Sequence, residues 1–319
     1  MKLRSLAALG SAFLGLEAYN RRVTMPAEGL ENQLPVTPTR WPWRFGEVAV
    51  YEAGDPHNPP LLLLHGHNAA ASAAEMKEPF ARLSDRFHIY APDLLGYGLS
   101  ERPDIEYAPQ LYIELISDLL REVVKQPAPV LASSLTSAYA IEAAVADPEW
   151  VTSLVLVCPT GVRSLREQSP GGKAVEMLLR LPVLGQAIFN GIASRRSIRY
   201  FLEAQTYHDK SLVTGDLVEQ YYRTAHVPGA RFAPSAFVSG KLYWDASDAW
   251  SQLSQNVLLV WGREAKITPL SDAPAFLATN PGAELQEISP AGILPHDEQP
   301  EQFANLVGAW LQRIAESKL

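Results

Sequence analysis

Short apolar runs recur along the chain and alternate with segments of helical periodicity. Strand patterns lie at residues 61–64, 87–91, 128–132, 151–157, 257–261 and 284–288. Between them, residues 111–124 and 135–146 repeat their apolar positions with the period of a helix. Runs that are apolar on both faces, alternating with helices, predict an α/β fold with a mostly parallel sheet covered on both sides. Residues 45–51 have strand composition, and we predict an edge strand there.

One interval interrupts this alternation. Residues 162–250 show no strand pattern, are helical in periodicity and are rich in aromatic side chains. About 90 residues is too long for a simple loop in a compact domain, so we predict an inserted helical lid whose aromatic residues mostly form its own core. The chain then divides into an N-terminal helix and linker (1–40), a core (41–161 and 251–319) and the lid (162–250).

The first 22 residues form a separate unit. Residues 5–16 are weakly apolar and too few to span a bilayer as a helix, and basic residues lie on both sides of them. One helical face carries the larger apolar residues Leu6, Leu9, Phe13 and Leu16. This pattern predicts an amphipathic surface helix, docked on the protein or on a membrane. We expect a cytoplasmic protein, with membrane attachment or export through residues 1–22 as the alternatives. Residues 26–42 indicate an irregular linker.

Composition narrows the function further. Hydrophobic residues make up 47% and charged residues 19% of the 319 residues, as in globular proteins with a sizeable core. The net charge of −8 and the lack of a basic run argue against a nucleic-acid partner. The single cysteine, Cys158, excludes an intramolecular disulfide and indicates a small buried residue. No metal or nucleotide motif is present, so we expect neither a metal nor a cofactor.

The segment Ala132-Ser133-Ser134-Leu135-Thr136 joins a predicted strand to a predicted helix. This is the position of a nucleophile elbow, where the nucleophile lies on a strained turn and the helix N-terminus supplies N–H groups to a developing oxyanion. Small residues two places on either side let strand and helix approach. Ala132 meets that demand, whereas the branched Thr136 crowds the turn. The alternative is that Ser134 is a structural serine that caps the helix.

Several motifs occur in a characteristic order. They are His65-Gly66-His67-Asn68, the loop at 92–100, the elbow, Trp261-Gly262-Arg263-Glu264 and the segment 294–300. With these motifs the chain resembles the α/β-hydrolase superfamily over about residues 45–315, in the branch with a helical cap that includes esterases, C–C bond hydrolases and epoxide hydrolases. The resemblance implies the α/β-hydrolase fold. It also implies Ser134 as nucleophile and the backbone N–H groups of Leu135 and His67 as the oxyanion hole.

The chain departs from the family pattern at two catalytic positions. Where the family commonly has the acid of its triad this sequence has Ala265, and where the family has the base it has Ile293. Neither side chain can exchange a proton. A serine hydroxyl is a poor nucleophile without a base, and loss of the histidine alone costs a serine protease about 10⁶-fold in turnover. Ordinary triad catalysis is therefore impaired unless another group substitutes.

Three residues are candidates for that substitution. His296, three residues beyond Ile293, is a base only if its loop is re-formed, since general-base contact needs about 3 Å. It otherwise caps the last helix. Glu264 is adjacent to the lost acid position, and His67 could approach the nucleophile from the oxyanion loop.

Three functions therefore stay open at the level of sequence. The first is a serine hydrolase that uses Ser134 on a small apolar ester-type substrate. The second is a catalytically inactive protein that binds a small apolar molecule beneath the lid. The third is a partner-binding role of the N-terminal helix. Retention of Ser134 and its small neighbours favours a working pocket, whereas loss of both triad partners favours binding over catalysis.

Overall fold

The computed structural model describes residues 3–162 and 171–317, with side chains described from Gly10 onward except that of Glu28. An eight-stranded sheet forms its centre. The strands are β1 (Thr39–Trp43), β2 (Gly46–Ala53), β3 (Pro60–Leu64), β4 (His88–Pro92), β5 (Ala128–Ser133), β6 (Val151–Val157), β7 (Asn256–Gly262) and β8 (Glu284–Ile288). Their spatial order is β1-β2-β4-β3-β5-β6-β7-β8.

Helices lie on both faces of this sheet, on the surface and in the interval between β6 and β7. They are α1 (Leu3–Val23), α2 (Lys77–Leu83), α3 (Pro109–Asp118), α4 (Thr136–Ala146), α5 (Gly172–Arg180), α6 (Leu184–Ile192), α7 (Arg195–Phe201), α8 (Gly215–Ala225), α9 (Phe232–Val238), α10 (Ser247–Gln252), α11 (Ala273–Thr279), α12 (Pro295–Glu298) and α13 (Pro300–Glu316). One core cluster lies on each face of the sheet. The predicted fold class is confirmed.

The central strands follow the expected logic of a sheet buried on both faces. All residues of β3 are buried, and so are nearly all of β5, β6 and β7. From β4 to β8 neighbouring strands are parallel, so their carboxyl ends meet at one edge of the sheet. Because β5 lies in the middle, the residues that follow it stand at the centre of this edge.

The prediction of an edge strand at 45–51 was wrong. This segment forms β2, which lies second from the edge and is antiparallel to both neighbours. The edge strand is β1, in the segment that we interpreted as an irregular linker. β1 contains Pro42, which an edge strand tolerates because one side of its backbone needs no partner, and most of its residues are exposed. Proline and a weak apolar pattern concealed this strand in the sequence.

Helices α5 to α10 occupy the interval between β6 and β7, and residues 171–250 contain no strand. Part of the predicted lid, residues 163–170, lies outside the described residues. Residue Leu202 continues α7 as one π-helical turn that ends at Thr206. Helices α7, α8 and α9 supply the aromatic lining residues Phe201, Tyr221 and Phe237 of the cavity next to Ser134.

Helix α1 lies on the surface and contacts α6. The Asn20 amide donates to the Val183 carbonyl (2.9 Å) and accepts from the Asn190 amide (3.1 Å). Phe13 and Leu14 are 54% and 65% exposed, so this apolar part of the helix is not covered by the protein. Among the described helices, no single one is long and apolar enough to cross a membrane; α5 and α6 meet the length and composition test only together, with a bend of 108°.

Candidate active site at the carboxyl end of strand β5

Ser134 lies on the sharp turn between β5 and α4. Its φ of +52° is in the left-handed region, which a residue with a side chain rarely adopts and which costs of order 1–3 kcal/mol. The Ser134 N–H donates to the Val157 carbonyl of β6 (2.9 Å), and its carbonyl accepts from the Ser137 N–H (3.1 Å). Two neighbouring elements therefore hold the strained backbone, as expected of a nucleophile elbow.

Thr136 has a specific contact that its sequence position did not reveal. The side chain is fully buried, and its hydroxyl donates to the His65 carbonyl at 2.7 Å. This bond joins the start of α4 to the loop that contains Gly66 and His67. A branched residue is accommodated at this place because its hydroxyl connects the elbow to the oxyanion loop.

The two residues predicted to form an oxyanion hole lie on the same two segments. Leu135 is the residue before α4, and His67 follows β3 on the adjacent loop. Within the described residues, no acceptor is bonded to the backbone N–H of either residue. Free backbone N–H groups are what an oxyanion requires, so these two are candidate donors to one.

A cavity of about 540 Å³ opens above Ser134. Its apolar wall comes mainly from the helices over the sheet and from the loop after β8, through residues Phe201, Leu202, Tyr221, Phe237, Tyr243, Ile293 and Leu294. Four of its polar lining residues, His67, Ser133, Thr160 and Thr268, each have a buried side-chain atom without a hydrogen-bond partner. Buried polar atoms are normally paired, so these four suit a ligand with a polar group inside an apolar outline.

His67 is held as a neutral imidazole. Burial lowers its pKa well below the usual value, and the neighbouring His65 adds to this effect. Its Nδ1 is hydrogen-bonded to the Tyr97 hydroxyl (3.0 Å), and its ring packs edge-on against Tyr112 and Tyr139. Nε2 is the unpartnered atom. A ring that resists protonation this strongly suits hydrogen bonding to a ligand better than proton abstraction.

The two replaced triad positions are apolar parts of the structure. Ile293 lines the cavity, and its N–H donates to the Thr206 carbonyl (3.0 Å). Ala265 is buried in the turn after β7, with its N–H on the Gly262 carbonyl (3.1 Å). No proton acceptor therefore stands at either place.

His296 and Glu264 have other partners. His296 is fully buried on α12, its Nε2 donates to the Glu75 carbonyl (3.1 Å), and burial lowers its pKa to about 4. Glu264 accepts from the Ala291 N–H (2.8 Å) and the Ser289 hydroxyl (2.9 Å), and so supports the turn after β8. Neither residue lines the cavity above Ser134. The structure thus brings Ser134, Leu135 and His67 together, and leaves these two outside that group.

Glu75 is the residue that the sequence reasoning missed. It lines the cavity, and its Oε1 accepts from the Gly66 N–H at 3.0 Å. Burial raises the pKa of this carboxyl to about 7, against the opposing influence of the Ser133 hydroxyl and the Gly66 N–H. The Ser133 hydroxyl lies near the carboxyl but does not complete a hydrogen bond of normal geometry. The side chain is enclosed by protein yet partly accessible through the cavity.

The backbone around Glu75 is fixed from three directions. Ser72 begins the 3₁₀ turn Ala73–Met76, accepting from Ala74 N–H (3.3 Å) through its hydroxyl. The buried Asp93 carboxylate accepts from the Ala73 N–H (2.6 Å), and His296 donates to the Glu75 carbonyl. A sequence signal existed, because Glu75 is the only charged residue between Asn68 and Met76.

Comparison with known proteins agrees with this architecture. The family model described as "Alpha/beta hydrolase family" matches residues 61–306. A 2-hydroxymuconate semialdehyde hydrolase of Pseudomonas putida is 26% identical over 261 residues, which cover 79% of this chain and 86% of that protein. The solved 2-hydroxy-6-oxo-6-phenylhexa-2,4-dienoate hydrolase of Rhodococcus sp. strain RHA1 superposes with a TM-score of 0.72 at 22% identity, covering 86% of this chain and 98% of that one.

A second solved structure matches over nearly the whole chain. It is a bacterial membrane phospholipase A, with a TM-score of 0.72 at 20% identity, covering 98% of this chain and 96% of its own. At these identities the two structures establish the fold alone. The fold and the elbow define an α/β-hydrolase scaffold, and the family match covers most of the chain. This chain belongs to the alpha/beta hydrolase family.

Proposed function

We propose that this chain is a serine hydrolase that cleaves a small, largely apolar substrate at an ester-type carbonyl, with Ser134 as the nucleophile. The observation that carries the proposal is the strained backbone of Ser134, a residue that lines a cavity of about 540 Å³. Strain of this kind persists only where the surrounding structure enforces it, and a helix cap would not require it. The presence of hydrolases among the relatives supports the reaction class.

The cavity supports the substrate class. Its walls are mostly apolar and aromatic, while the polar atoms without partners belong to the lining residues His67, Ser133, Thr160 and Thr268. A carbonyl placed over Ser134 would receive the N–H groups of Leu135 and His67, which stabilise the negative charge that develops when Ser134 Oγ attacks the carbonyl carbon. No cofactor takes part in this scheme.

The competing function is binding of a small apolar molecule without turnover. The apolar residues at Ala265 and Ile293 favour it, because neither can supply the proton acceptor of an ordinary triad. Under this alternative Ser134 would only donate a hydrogen bond. The two functions differ in one measurable property, the reactivity of the Ser134 hydroxyl.

The test is covalent labelling with a fluorophosphonate, followed by intact mass and peptide mapping, in the full chain and in Ser134→Ala. We expect one adduct on Ser134 that is absent from the variant. Labelling should coincide with hydrolysis of short-chain p-nitrophenyl esters, lost in the same variant. Folded protein that forms no adduct and hydrolyses no ester across pH 5–9 contradicts the proposal and supports the binding function.

A further inference from the structure

Glu75 and Ser134 flank the same small gap at Gly66. A methyl group added to the Gly66 Cα would lie 3.4 Å from Ser134 Cβ, and 3.5 and 3.6 Å from the two Glu75 carboxylate oxygens. Since both distances are measured from one point, Ser134 Cβ and the nearer carboxylate oxygen are at most about 7 Å apart. Because position 66 is a glycine, no side chain occupies the point that Ser134 and Glu75 both approach.

This separation suits one bridging water. Two O–H···O hydrogen bonds in series span up to about 5.5 Å, and the Ser134 hydroxyl can rotate about its Cβ toward the gap. Ser134 and Glu75 both line the cavity, so a water there has access to both side chains. A general base can act through one water as well as by direct contact.

We propose that Glu75 replaces the missing histidine as the general base that activates Ser134, acting through a water in the gap beside Gly66. This inference rests on the proposed hydrolase function. It assigns the proton acceptor that the family pattern leaves vacant at Ile293. It also explains why an acidic residue is enclosed at this place, where no cationic partner is recorded for its carboxylate among the described residues.

The proton balance of the reaction closes with this one group. Glu75 receives the Ser134 proton through the water while Ser134 Oγ bonds to the substrate carbonyl carbon. When the tetrahedral intermediate collapses, the carbon–oxygen bond to the leaving group breaks and the Glu75 proton passes to the departing alkoxide. A second water then attacks the acyl carbon and gives a proton to Glu75. When this second tetrahedral intermediate collapses, the bond between the acyl carbon and Ser134 Oγ breaks, Glu75 returns the proton to Ser134 Oγ, and the acid is released. Glu75 ends each cycle as it began.

The surroundings of Glu75 are suited to a base that works near neutrality. From α12, the Asp297 carboxylate and the neutral His296 face it; Asp297 itself is paired with Lys77 Nζ at 3.1 Å. From the helices above, Tyr207 and Tyr221 approach, and burial followed by nearby carboxylate charges raises the pKa of Tyr221 above its usual value. Burial and the Asp297 charge therefore both favour the protonated carboxyl. The most effective catalytic base has a pKa near the working pH.

His67, the other titratable group of the cavity among the described residues next to the elbow, is a weaker candidate. Its pKa lies well below the usual value because of burial, so the ring accepts a proton poorly at neutral pH. Its Nδ1 is also committed to Tyr97. We therefore assign substrate binding to His67 and proton transfer to Glu75.

The test measures the second-order rate constant of fluorophosphonate labelling at Ser134 from pH 5 to 9. Glu75→Gln keeps an oxygen that accepts from the Gly66 N–H but cannot take a proton. Gly66→Ala keeps both reacting groups and fills the gap with a methyl whose contacts are ordinary van der Waals distances. Glu78→Gln, on the outward turn of α2 and paired with Arg82, is the matched charge control.

For the wild type we expect the rate constant to rise with pH to a plateau, with a midpoint near 7. Glu75→Gln should label at least 100-fold more slowly at pH 8 and lose the midpoint, in line with the usual contribution of a general base. Gly66→Ala should be slowed at least tenfold, and Glu78→Gln should match the wild type. In Glu75→Ala, added formate should restore labelling in a saturable manner, which a merely structural role of Glu75 would not allow.

The outcomes separate the two proposals. Wild type that labels at Ser134, with Glu75→Gln within threefold of it and with the same pH midpoint, overturns the role of Glu75 and leaves the hydrolase function standing. If the wild type is never labelled, the hydrolase function is contradicted, and so is the role of Glu75 as a base, which rests on that function. If Glu75→Gln is slow but circular dichroism shows it unfolded, the formate result in folded Glu75→Ala decides: saturable restoration supports the base, and none overturns it.

Discussion

At the residue scale, Glu75 combines two opposing consequences of burial. Enclosure makes the ionised carboxylate costly, because charge is removed from water, and the same enclosure makes it a proton acceptor near pH 7. The Gly66 N–H offsets part of the cost at 3.0 Å. Protein stability is therefore reduced at the pH at which Glu75 is ionised and can accept a proton. Such a cost in stability is a common feature of catalytic sites.

This opposition predicts a pH-dependent stability difference between Glu75→Gln and the wild type. The pKa of Glu75 rises from 4.5 in the unfolded chain to about 7 in the folded one. Between these values the unfolded state binds fewer protons, so the wild-type free energy of unfolding falls as pH rises, and the loss is complete above about pH 7. The Glu75→Gln variant does not lose this stability, because the glutamine side chain does not titrate. We expect the variant to gain about 1–3 kcal/mol on the wild type between pH 4 and pH 8, the lower figure allowing for screening by cavity water.

Urea unfolding of both proteins at several pH values measures this difference. Asp93, whose pKa burial raises to about 6, produces a similar trend in both proteins and cancels in the comparison. A stability difference that stays constant from pH 4 to pH 8 would show that the Glu75 carboxyl does not titrate in this range.

At the scale of elements, the sequence predicted what depends on local pattern. The central strands β3 to β7 were predicted within about two residues because they are apolar on both faces, and the elbow because a serine follows one of them directly before a helix. β1 was missed because Pro42 and exposed side chains weaken its pattern. The role of Glu75 was missed because it depends on contacts with other segments of the chain. These are Gly66, Ser134 and α12, which only the folded structure brings together.

The contact between α4 and the oxyanion loop yields a second prediction. The buried Thr136 hydroxyl donates to the His65 carbonyl (2.7 Å), and valine has nearly the same shape without the donor. Thr136→Val should lower the free energy of unfolding by about 1–3 kcal/mol, because the buried carbonyl loses its partner. It should also slow Ser134 labelling, since the loop that carries His67 is no longer joined to the elbow.

Thr136→Ser, which retains the hydroxyl, is the matched control in urea unfolding and labelling. We expect serine to keep most of the labelling rate and to lose stability only through its missing methyl group. Equal stability and reactivity of the valine and wild-type proteins would mean that the Thr136 hydroxyl does not support the loop.

At the scale of the whole molecule, one surface is unusual in its exposed apolar side chains. Helices α1, α5 and α6 contact one another through α6, and all three expose large apolar residues. These residues are Phe13, Leu14, Tyr19, Val175, Met177, Leu178, Leu184 and Ile192. Exposed apolar residues on adjoining helices are typical of a surface that binds a membrane or a protein partner.

We propose that this α1–α5–α6 surface binds peripherally to an anionic lipid membrane. Arg22 is exposed at the end of α1, beside Arg21, which is paired with Glu17 at 2.5 Å, and Lys2 and Arg4 stand at its start in the sequence, so net positive charge flanks its apolar part. The net charge of −8 opposes any general attraction to anionic lipid, so binding must come from this local combination. Apolar insertion with flanking basic residues is how interfacial helices bind.

Co-sedimentation with liposomes tests this proposal. The full chain should pellet with vesicles of phosphatidylglycerol and phosphatidylcholine, less so at high salt, where charge attraction is screened. Phe13→Glu with Leu14→Glu should reduce binding at least tenfold, whereas Phe45→Glu, at a turn outside this surface with the native side chain 41% exposed, should not. Binding unaffected by the paired change, or reduced equally by the control, would contradict a membrane contact through α1. Because none of the substituted residues lines the cavity above Ser134, labelling of Ser134 in solution should be the same in all three proteins. A loss of membrane binding with unchanged labelling would thus show that Phe13 and Leu14 act in membrane binding and not in the reaction at Ser134.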